Sequence, residues 1–281
     1  MTGTVTVRGA RIRYRETGDV TSPPVVLLHG IGRSLEDWGP QHERLGDAFR
    51  VISMDLAGFG LSDRLPEPVT LTSLACGVRE TLAGLGVDHP LHLMGNSLGG
   101  AVAMRLLAGE PDRIATLTLV NSAGFGKEVA FALRVLAIPF LGKPLLSRID
   151  PKAARRMERS LFFDGAFVTD ERVAHELEVA ARPDHAPVFL EIAKALGTFR
   201  GIREQWRTDL LAQVAAHPKP TLITWGDRDV ILPHTHLAAA QAALPHARSH
   251  VFPDTGHMPQ IERADEFAAL ARQFLSTRTP G

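Results

Sequence analysis

The sequence contains a single cysteine, Cys76, among its 281 residues, so it cannot form an internal disulfide bond. One cysteine fits a reducing compartment, because proteins that rely on disulfides carry several. Lysine and arginine number 31, and aspartate and glutamate also number 31, which leaves no net charge. Nucleic-acid surfaces concentrate positive charge, and no basic run interleaved with aromatic residues occurs here. The composition therefore excludes a disulfide framework and disfavours a nucleic-acid partner.

Long apolar runs are also missing from the sequence. No stretch approaches the roughly 20 apolar residues of a membrane-spanning helix, and residues 1–8 lack an apolar segment of signal-peptide length. We therefore expect a cytoplasmic protein without a membrane span.

Patterns that bind metals or cofactors are equally scarce. His234 and His236 lie two residues apart without a neighbouring cysteine or carboxylate cluster, so we interpret them as surface loop histidines. No Gly-x-Gly-x-x-Gly opens a helix, which disfavours a dinucleotide site. The sequence predicts no metal and no cofactor.

Apolar residues make up 44% of the chain, enough for the core of one α/β domain. Alternating residues over 4–7 and 11–15 predict an antiparallel hairpin with one solvated face. Short continuous apolar runs then predict strands buried on both faces, at 25–28, 51–54, 91–94, 116–120, 221–225 and 250–252. Helical segments are expected between them, near 37–49, 71–85 and 98–108. The predicted fold class is α/β, a doubly wound and mostly parallel sheet with an antiparallel edge.

The strand rhythm stops between Asn121 and Pro218. Residues 122–217 are expected to form short helices punctuated by prolines, inserted between core segments 1–121 and 218–281. We call residues 122–217 the cap. Its apolar stretches, such as 131–141, are too apolar for a solvated surface and should cover a substrate chamber. Five cap phenylalanines are candidates for lining that chamber or for forming the cap's own core: Phe131, Phe140, Phe162, Phe163 and Phe189.

The segment Gly95-Asn96-Ser97-Leu98-Gly99 follows a predicted strand and precedes a predicted helix, which is typical of a nucleophile elbow. Such a turn crowds the backbone, so residues two before and two after the serine must lack side chains. The helix that follows would place its positive N-terminal end near a developing anion. Ser97 is the candidate nucleophile, and the alternative is a glycine-rich turn with an N-cap serine.

Partners for Ser97 are expected at the carboxyl ends of the parallel strands. Two loops qualify, one with Asp227 and Asp229 after strand 221–225, and one with His257 after strand 250–252. A serine hydroxyl needs a base at neutral pH, and that base needs a carboxylate to fix its tautomer. The chain supplies serine, aspartate and histidine in that order.

These motifs together resemble the α/β-hydrolase superfamily from Val25 to Leu275. The resemblance implies that the acid is the third residue after Gly226, which selects Asp229 over Asp227 and leaves Asp227 as a turn or capping residue. It also implies an oxyanion hole formed by the backbone N–H groups of Ile31 and Leu98. His29 would be structural. The elbow serine disfavours epoxide and halide chemistry, because relatives with those activities use an aspartate there.

Carboxylic ester hydrolysis through an acyl-enzyme is the predicted function, with a small hydrophobic ester or ketone as substrate. The alternative is carbon–carbon bond hydrolysis, because the elbow resembles that of the meta-cleavage hydrolases and residues 182–185 resemble their substrate-binding arginine segment. That resemblance makes Arg182, Asn96 and Met258 candidate substrate contacts, although Met258 stands where those relatives usually carry tryptophan. Their glycine-rich oxyanion loop is also replaced here, by residues 30–34. A non-catalytic small-molecule-binding role and a homodimer remain open.

Overall fold

The computed structural model describes residues 1–138, 140–146 and 149–276. The strands are β1 Thr2–Val7, β2 Ala10–Thr17, β3 Pro24–Leu28, β4 Arg50–Met54, β5 Leu91–Asn96, β6 Ile114–Val120, β7 Gly197–Thr198, β8 Gly201–Ile202, β9 Thr221–Gly226 and β10 Arg248–Phe252. The α-helices are α1 Gly39–Leu45, α2 Leu71–Gly84, α3 Leu98–Gly109, α4 Phe131–Leu136, α5 Gly142–Leu146, α6 Pro151–Leu161, α7 Asp170–Ala180, α8 His185–Leu196, α9 Glu204–Ala215, α10 His236–Ala243, α11 Pro259–Glu262 and α12 Ala264–Ser276. Short 3-10 helices occupy Leu35–Trp38, Pro111–Arg113 and Gly165–Phe167.

Eight strands form one sheet in the order β1-β2-β4-β3-β5-β6-β9-β10. Strands β1 and β2 pair antiparallel, β2 pairs antiparallel with β4, and the pairings from β4 to β10 are parallel. The predicted fold class, an antiparallel edge joined to a doubly wound parallel sheet, is confirmed. Strand order reverses around β3, where ligands of such sheets bind at the carboxyl ends.

The sheet is buried on both faces, as its continuous apolar runs predict. Val26 and Leu28 of β3 belong to the hydrophobic cluster on the side of α2 and α3, whereas Val25 and Leu27 belong to the cluster that includes Phe267 of α12. Successive residues of one strand thus serve opposite layers, which keeps the carboxyl end of the strand rigid.

Two local predictions differ from the structure. The helix expected over 37–49 consists of the 3-10 helix and α1, which ends at Leu45 because the chain turns at Gly46. The cap also contains the hairpin β7–β8, and α9, although within residues 122–217, packs against the core helix α3. Cys76 lies half-buried in α2. Across the described residues, no helix is long and apolar enough to cross a bilayer.

A group of charged side chains ties α6 and α7 to the core loop after β3. Arg33 contacts Asp37, Glu158 and Glu176, and Arg172 contacts Asp37 and Glu158. We call these five residues the cap–core ion cluster. Glu158 and Asp37 are buried, so paired arginines are required to compensate their lost hydration.

Candidate active site

Ser97 stands at the junction of β5 and α3 in a strained backbone conformation, with φ 55° and ψ −116°. Its N–H donates to Val120 O at 3.0 Å, which anchors the turn to β6. A Cβ at Gly95 would lie 2.3 Å from the backbone of Gly99, and a Cβ at Gly99 would lie 2.2 Å from Leu28 O. Only glycine fits at either position, so the sequence spacing and the strained serine have one cause.

The loop after β3 lies directly beside this serine. A Cβ at Gly30 would lie 3.2 Å from Ser97 Cβ, and Ile31 lines the same pocket as Ser97 and Leu98. Neither the N–H of Ile31 nor that of Leu98 has a protein acceptor among residues 1–138, 140–146 and 149–276. Two residues with unused backbone donors therefore line the same pocket as Ser97, which is compatible with the predicted oxyanion hole.

His29 is structural. Its Nε2 accepts from Leu56 N–H at 2.9 Å and its Nδ1 lies 2.7 Å from Gly30 O, which ties the loops after β3 and β4 together. Burial lowers the pKa of His29, so the ring is neutral and suited to accepting that amide hydrogen.

The structure brings His257 and Asp229 together, with His257 Nδ1 2.7 Å from Asp229 Oδ2. The other carboxylate oxygen, Oδ1, accepts from the N–H groups of Ile231 at 2.8 Å and Leu232 at 3.0 Å. Both side chains are buried. A buried carboxylate fixed in this way selects the tautomer with Nε2 free to accept a proton.

Asn121 is a site residue that the sequence analysis missed. Its Nδ2 donates to Asp229 Oδ2 at 2.7 Å and to Gly256 O at 3.3 Å, which joins the acid loop to the histidine loop. It has a positive φ of 45° at the end of β6. The available signal was its position at the carboxyl end of a buried strand, next to those of Ser97 and Asp229.

The backbone of His257 is held on both sides. Asn96 Nδ2 donates to His257 O at 3.1 Å, and the N–H of His257 donates to Leu161 O at the end of α6 at 2.8 Å. The position of His257 therefore depends on residues at the end of β5 and at the end of α6. Ser97 Oγ makes no hydrogen bond within the described residues, so its contact with His257 Nε2 belongs to the proposed mechanism.

A pocket extends from Ser97 into the cap. On the core side it is lined by Ser97, Ile31, Leu98, Ala123, Ile231 and Leu232, and on the cap side by residues that include Leu133, Arg134, Ala137, Leu196, Ile202 and Trp206. Apart from Arg134 and Ser97, these walls are mostly apolar. They suit a hydrophobic substrate.

The three candidate substrate contacts, Arg182, Asn96 and Met258, face other parts of the protein than the pocket. Arg182 donates to Leu61 O at 3.2 Å and Ser62 O at 3.1 Å and pairs with Asp63, because these core-loop groups lie within reach of its long side chain. Asn96 turns its amide to Val120 O and His257 O. Met258 is fully buried against Phe162 and Ile261. None of the three lines the pocket among the described residues.

Other candidates also occupy structural positions. Asp227 Oδ1 accepts from Thr255 N–H at 3.3 Å, so it contacts the loop before His257 rather than the His257 ring. His236 is buried and lies 3.0 Å from Glu128, which corrects its interpretation as a surface histidine. The five cap phenylalanines are absent from the described pocket lining, and Phe162 and Phe189 belong to separate buried clusters.

Comparison with known proteins agrees with this geometry. Residues 23–264 match the family model described as the alpha/beta hydrolase fold. The chain is 31% identical to a 2-hydroxy-6-oxo-6-phenylhexa-2,4-dienoate hydrolase of Comamonas testosteroni, over 95% of this chain and 92% of that protein. It is 28% identical to an uncharacterized protein of Mycobacterium tuberculosis, over 98% of this chain and 81% of the other. The chain belongs to the α/β-hydrolase fold family.

A solved structure with similar coverage is a thermophilic esterase from Thermogutta terrifontis with malate bound. It superposes with a TM-score of 0.77 at 26% identity and covers 99% of this chain and 100% of the esterase. Both an esterase and a dienoate hydrolase thus resemble the chain over nearly its whole length.

Proposed function

We propose that the protein hydrolyses carboxylic esters through an acyl-enzyme on Ser97. The observation that carries this proposal is a strained serine at the base of an apolar pocket, flanked by the unused amides of Ile31 and Leu98. Strain at a nucleophile persists only where the surrounding packing imposes it, and the glycine contacts described above supply that packing.

In the proposed mechanism, His257 Nε2 takes the proton of Ser97 while Asp229 holds Nδ1 and stabilises the imidazolium. Ser97 Oγ attacks the ester carbonyl, and the oxyanion that forms accepts hydrogen bonds from Ile31 and Leu98. Each such donor contributes roughly 3 kcal/mol in comparable sites. Collapse expels the alcohol with the proton from His257, and the same base then activates a water that releases the acid.

Carbon–carbon bond hydrolysis is the second candidate, because a dienoate hydrolase is 31% identical to the chain. The arginine expected to bind an acidic substrate, Arg182, instead bonds to the carbonyls of Leu61 and Ser62. The described pocket wall offers one cation, Arg134. A neutral hydrophobic ester therefore fits this pocket better than a dienoate bound through Arg182.

The test is hydrolysis of p-nitrophenyl esters of graded chain length beside a vinylogous 1,5-diketone. We expect ester hydrolysis with a preference for medium apolar chains, and a loss of kcat by several orders of magnitude in Ser97→Ala and His257→Ala. The double variant should be little worse than either single one, because the two residues act as a unit.

Ser122→Ala is the matched control, because Ser122 lies near the elbow but donates to its neighbour's carbonyl, Ala123 O. It should retain activity. Full esterase activity in folded Ser97→Ala protein would refute the assignment, and faster turnover of the diketone would favour the second candidate. A non-catalytic binding protein would leave a phosphonate probe unattached to Ser97.

A further inference from the structure

The cap exposes apolar side chains around α4, α5 and the tip of the β7–β8 hairpin. Phe140 is 93% exposed and Phe131 is 65% exposed, and Leu141 and Leu145 of the α5 region are also exposed. The ring of Phe131 packs edge-on against that of Phe199 at the hairpin tip, with centroids 6.0 Å apart, and α4 contacts α5. We call these five side chains the mouth patch. Exposed apolar clusters of this kind mark interaction surfaces.

Positive charge is concentrated beside the mouth patch. Segments 127–134 and 194–207 carry two acidic residues, Glu128 and Glu204, against six basic ones: Lys127, Arg134, Lys194, Arg200, Arg203 and Arg207. Arg134 stacks over the rings of Phe131 and Phe199 while its Nε donates to Phe199 O. None of the six forms an ion pair in the part of the chain that the structure describes. The whole chain has no net charge, so this excess of positive charge is local to the two segments.

The active-site pocket runs between these elements. Leu133, Arg134 and Ala137 from the α4 region and Thr198 and Gly201 from the hairpin line it, and Ser97 lies at its core end. The exposed rings of Phe131 and Phe199 belong to the same two elements. An apolar path therefore connects the nucleophile with the mouth patch.

We propose that the mouth patch and its cations dock the protein on the surface of an anionic lipid bilayer. At such a surface, acyl chains meet negatively charged headgroups, so exposed rings and unpaired cations are both satisfied. A partner of acidic protein would match the cations but leave the rings of Phe131 and Phe140 in water. This docking is independent of whether the site cleaves an ester or a carbon–carbon bond.

The experiment is co-sedimentation of Ser97→Ala protein with vesicles, which keeps the lipids intact. Vesicles of phosphatidylcholine are compared with an equimolar mixture of phosphatidylcholine and phosphatidylglycerol. We expect binding to the mixed vesicles that weakens with added salt. Adding Phe131→Ser and Phe199→Ser should reduce the binding constant at least about tenfold, and adding Arg200→Gln should reduce it about fivefold.

Matched controls separate docking from general surface effects. Phe163 is 45% exposed, as is Phe199, and also contacts an arginine, Arg228, but lies outside the patch. Arg248 is an exposed arginine on the edge strand β10. Phe163→Ser and Arg248→Gln should bind vesicles as the parent does.

Absence of binding to the mixed vesicles, or equal losses in patch and control variants, would overturn the proposal. Patch variants that change the oligomeric state in gel filtration, without any vesicle binding by the parent, would also overturn it and assign the patch to a second copy of the chain. Unfolding midpoints of all variants are measured alongside, so that a misfolded variant is replaced by the single Phe199→Ser change.

Discussion

At the scale of single residues, the two oxygens of Asp229 have separate tasks. Oδ1 is occupied by the amides of Ile231 and Leu232, so the carboxylate cannot rotate, and Oδ2 faces His257 Nδ1. Asp227, two residues earlier, does not contact the His257 ring in the described residues; its Oδ1 accepts from Thr255 N–H. The neighbouring acids are chemically alike, and the fixed orientation of Asp229 distinguishes them.

Asp229→Asn should reduce kcat by about 10⁴, because the amide favours the wrong histidine tautomer. Asp227→Asn should cost less than about tenfold, since it weakens one loop contact. Both variants are compared by steady-state ester hydrolysis and by circular dichroism. A larger loss in folded Asp227→Asn than in folded Asp229→Asn would contradict the assignment of the acid.

Asn121 offers a second residue-scale prediction, because its amide contacts the acid and its φ of 45° strains any residue that has a Cβ. Asn121→Ala and Asn121→Gly both remove a hydrogen bond to a charged acceptor, so both should lower kcat about tenfold or more with little change in KM. Alanine keeps a Cβ at this positive φ, whereas glycine does not. Asn121→Ala should therefore be less stable than Asn121→Gly by about 1 kcal/mol in urea unfolding. Unchanged kcat in both variants would show that Asn121 does not position Asp229, and equal stability of the two would show that its φ carries no strain.

At the scale of elements, helix α7 meets the 3-10 helix Leu35–Trp38 through a titrating pair. His175 Nε2 lies 3.2 Å from Glu36 and 2.8 Å from Ser34 Oγ. The hydrogen bond to Glu36 raises the pKa of His175 above its usual value. Burial alone would raise the pKa of Glu36, but hydrogen bonds from His175 and Arg13 hold it well below its usual range. We therefore expect the contact between the cap and the core to depend on pH.

The stabilisation by this pair should be confined to a pH window. The His175 contribution is complete below about pH 6.5 and is lost as pH rises through its raised folded pKa, whereas the Glu36 contribution is lost as pH falls below about 4.5. His175→Gln should thus cost more stability near pH 5.5 than near pH 8.5 in urea unfolding. His89→Gln, at an exposed histidine, serves as the control. A cost that is the same at both pH values would contradict the coupling.

The sequence predicted the elements whose patterns are local. Continuous apolar runs located the strands of the main sheet, and the spacing of Gly95 and Gly99 located the elbow, because sterics act over a few residues. The direction in which the Arg182 side chain points could not be predicted, because the carbonyls that it contacts, those of Leu61 and Ser62, are about 120 residues away in sequence. The hairpin β7–β8 has two residues in each strand, too few for a periodic signal.

At the scale of the whole molecule, the cap–core ion cluster links the cap to the loop after β3, which carries Ile31. Arg33 lies two residues after Ile31, and its guanidinium is held by Asp37 from the core and by Glu158 and Glu176 from α6 and α7. Burial raises the pKa of Glu176 despite the nearby Arg33 charge. We therefore expect the position of the cap and the direction of the Ile31 amide to depend on the same side chain.

Arg33→Met should disturb both the position of the cap and the loop that carries Ile31. It leaves Glu158 and Glu176 with too little positive charge in a buried site, which should lower the free energy of unfolding by about 3–5 kcal/mol. We expect limited trypsin digestion to cut within α6 and α7 before the core, and kcat for esters to fall while the loop that carries Ile31 loosens. Asp170→Asn, which removes an exposed ion pair with Arg155 inside the cap and keeps every trypsin site, should cost less than about 1 kcal/mol and leave digestion unchanged. If Arg33→Met protein is digested like the parent and retains its kcat, then the cluster serves packing alone, and cap position and oxyanion geometry are set independently.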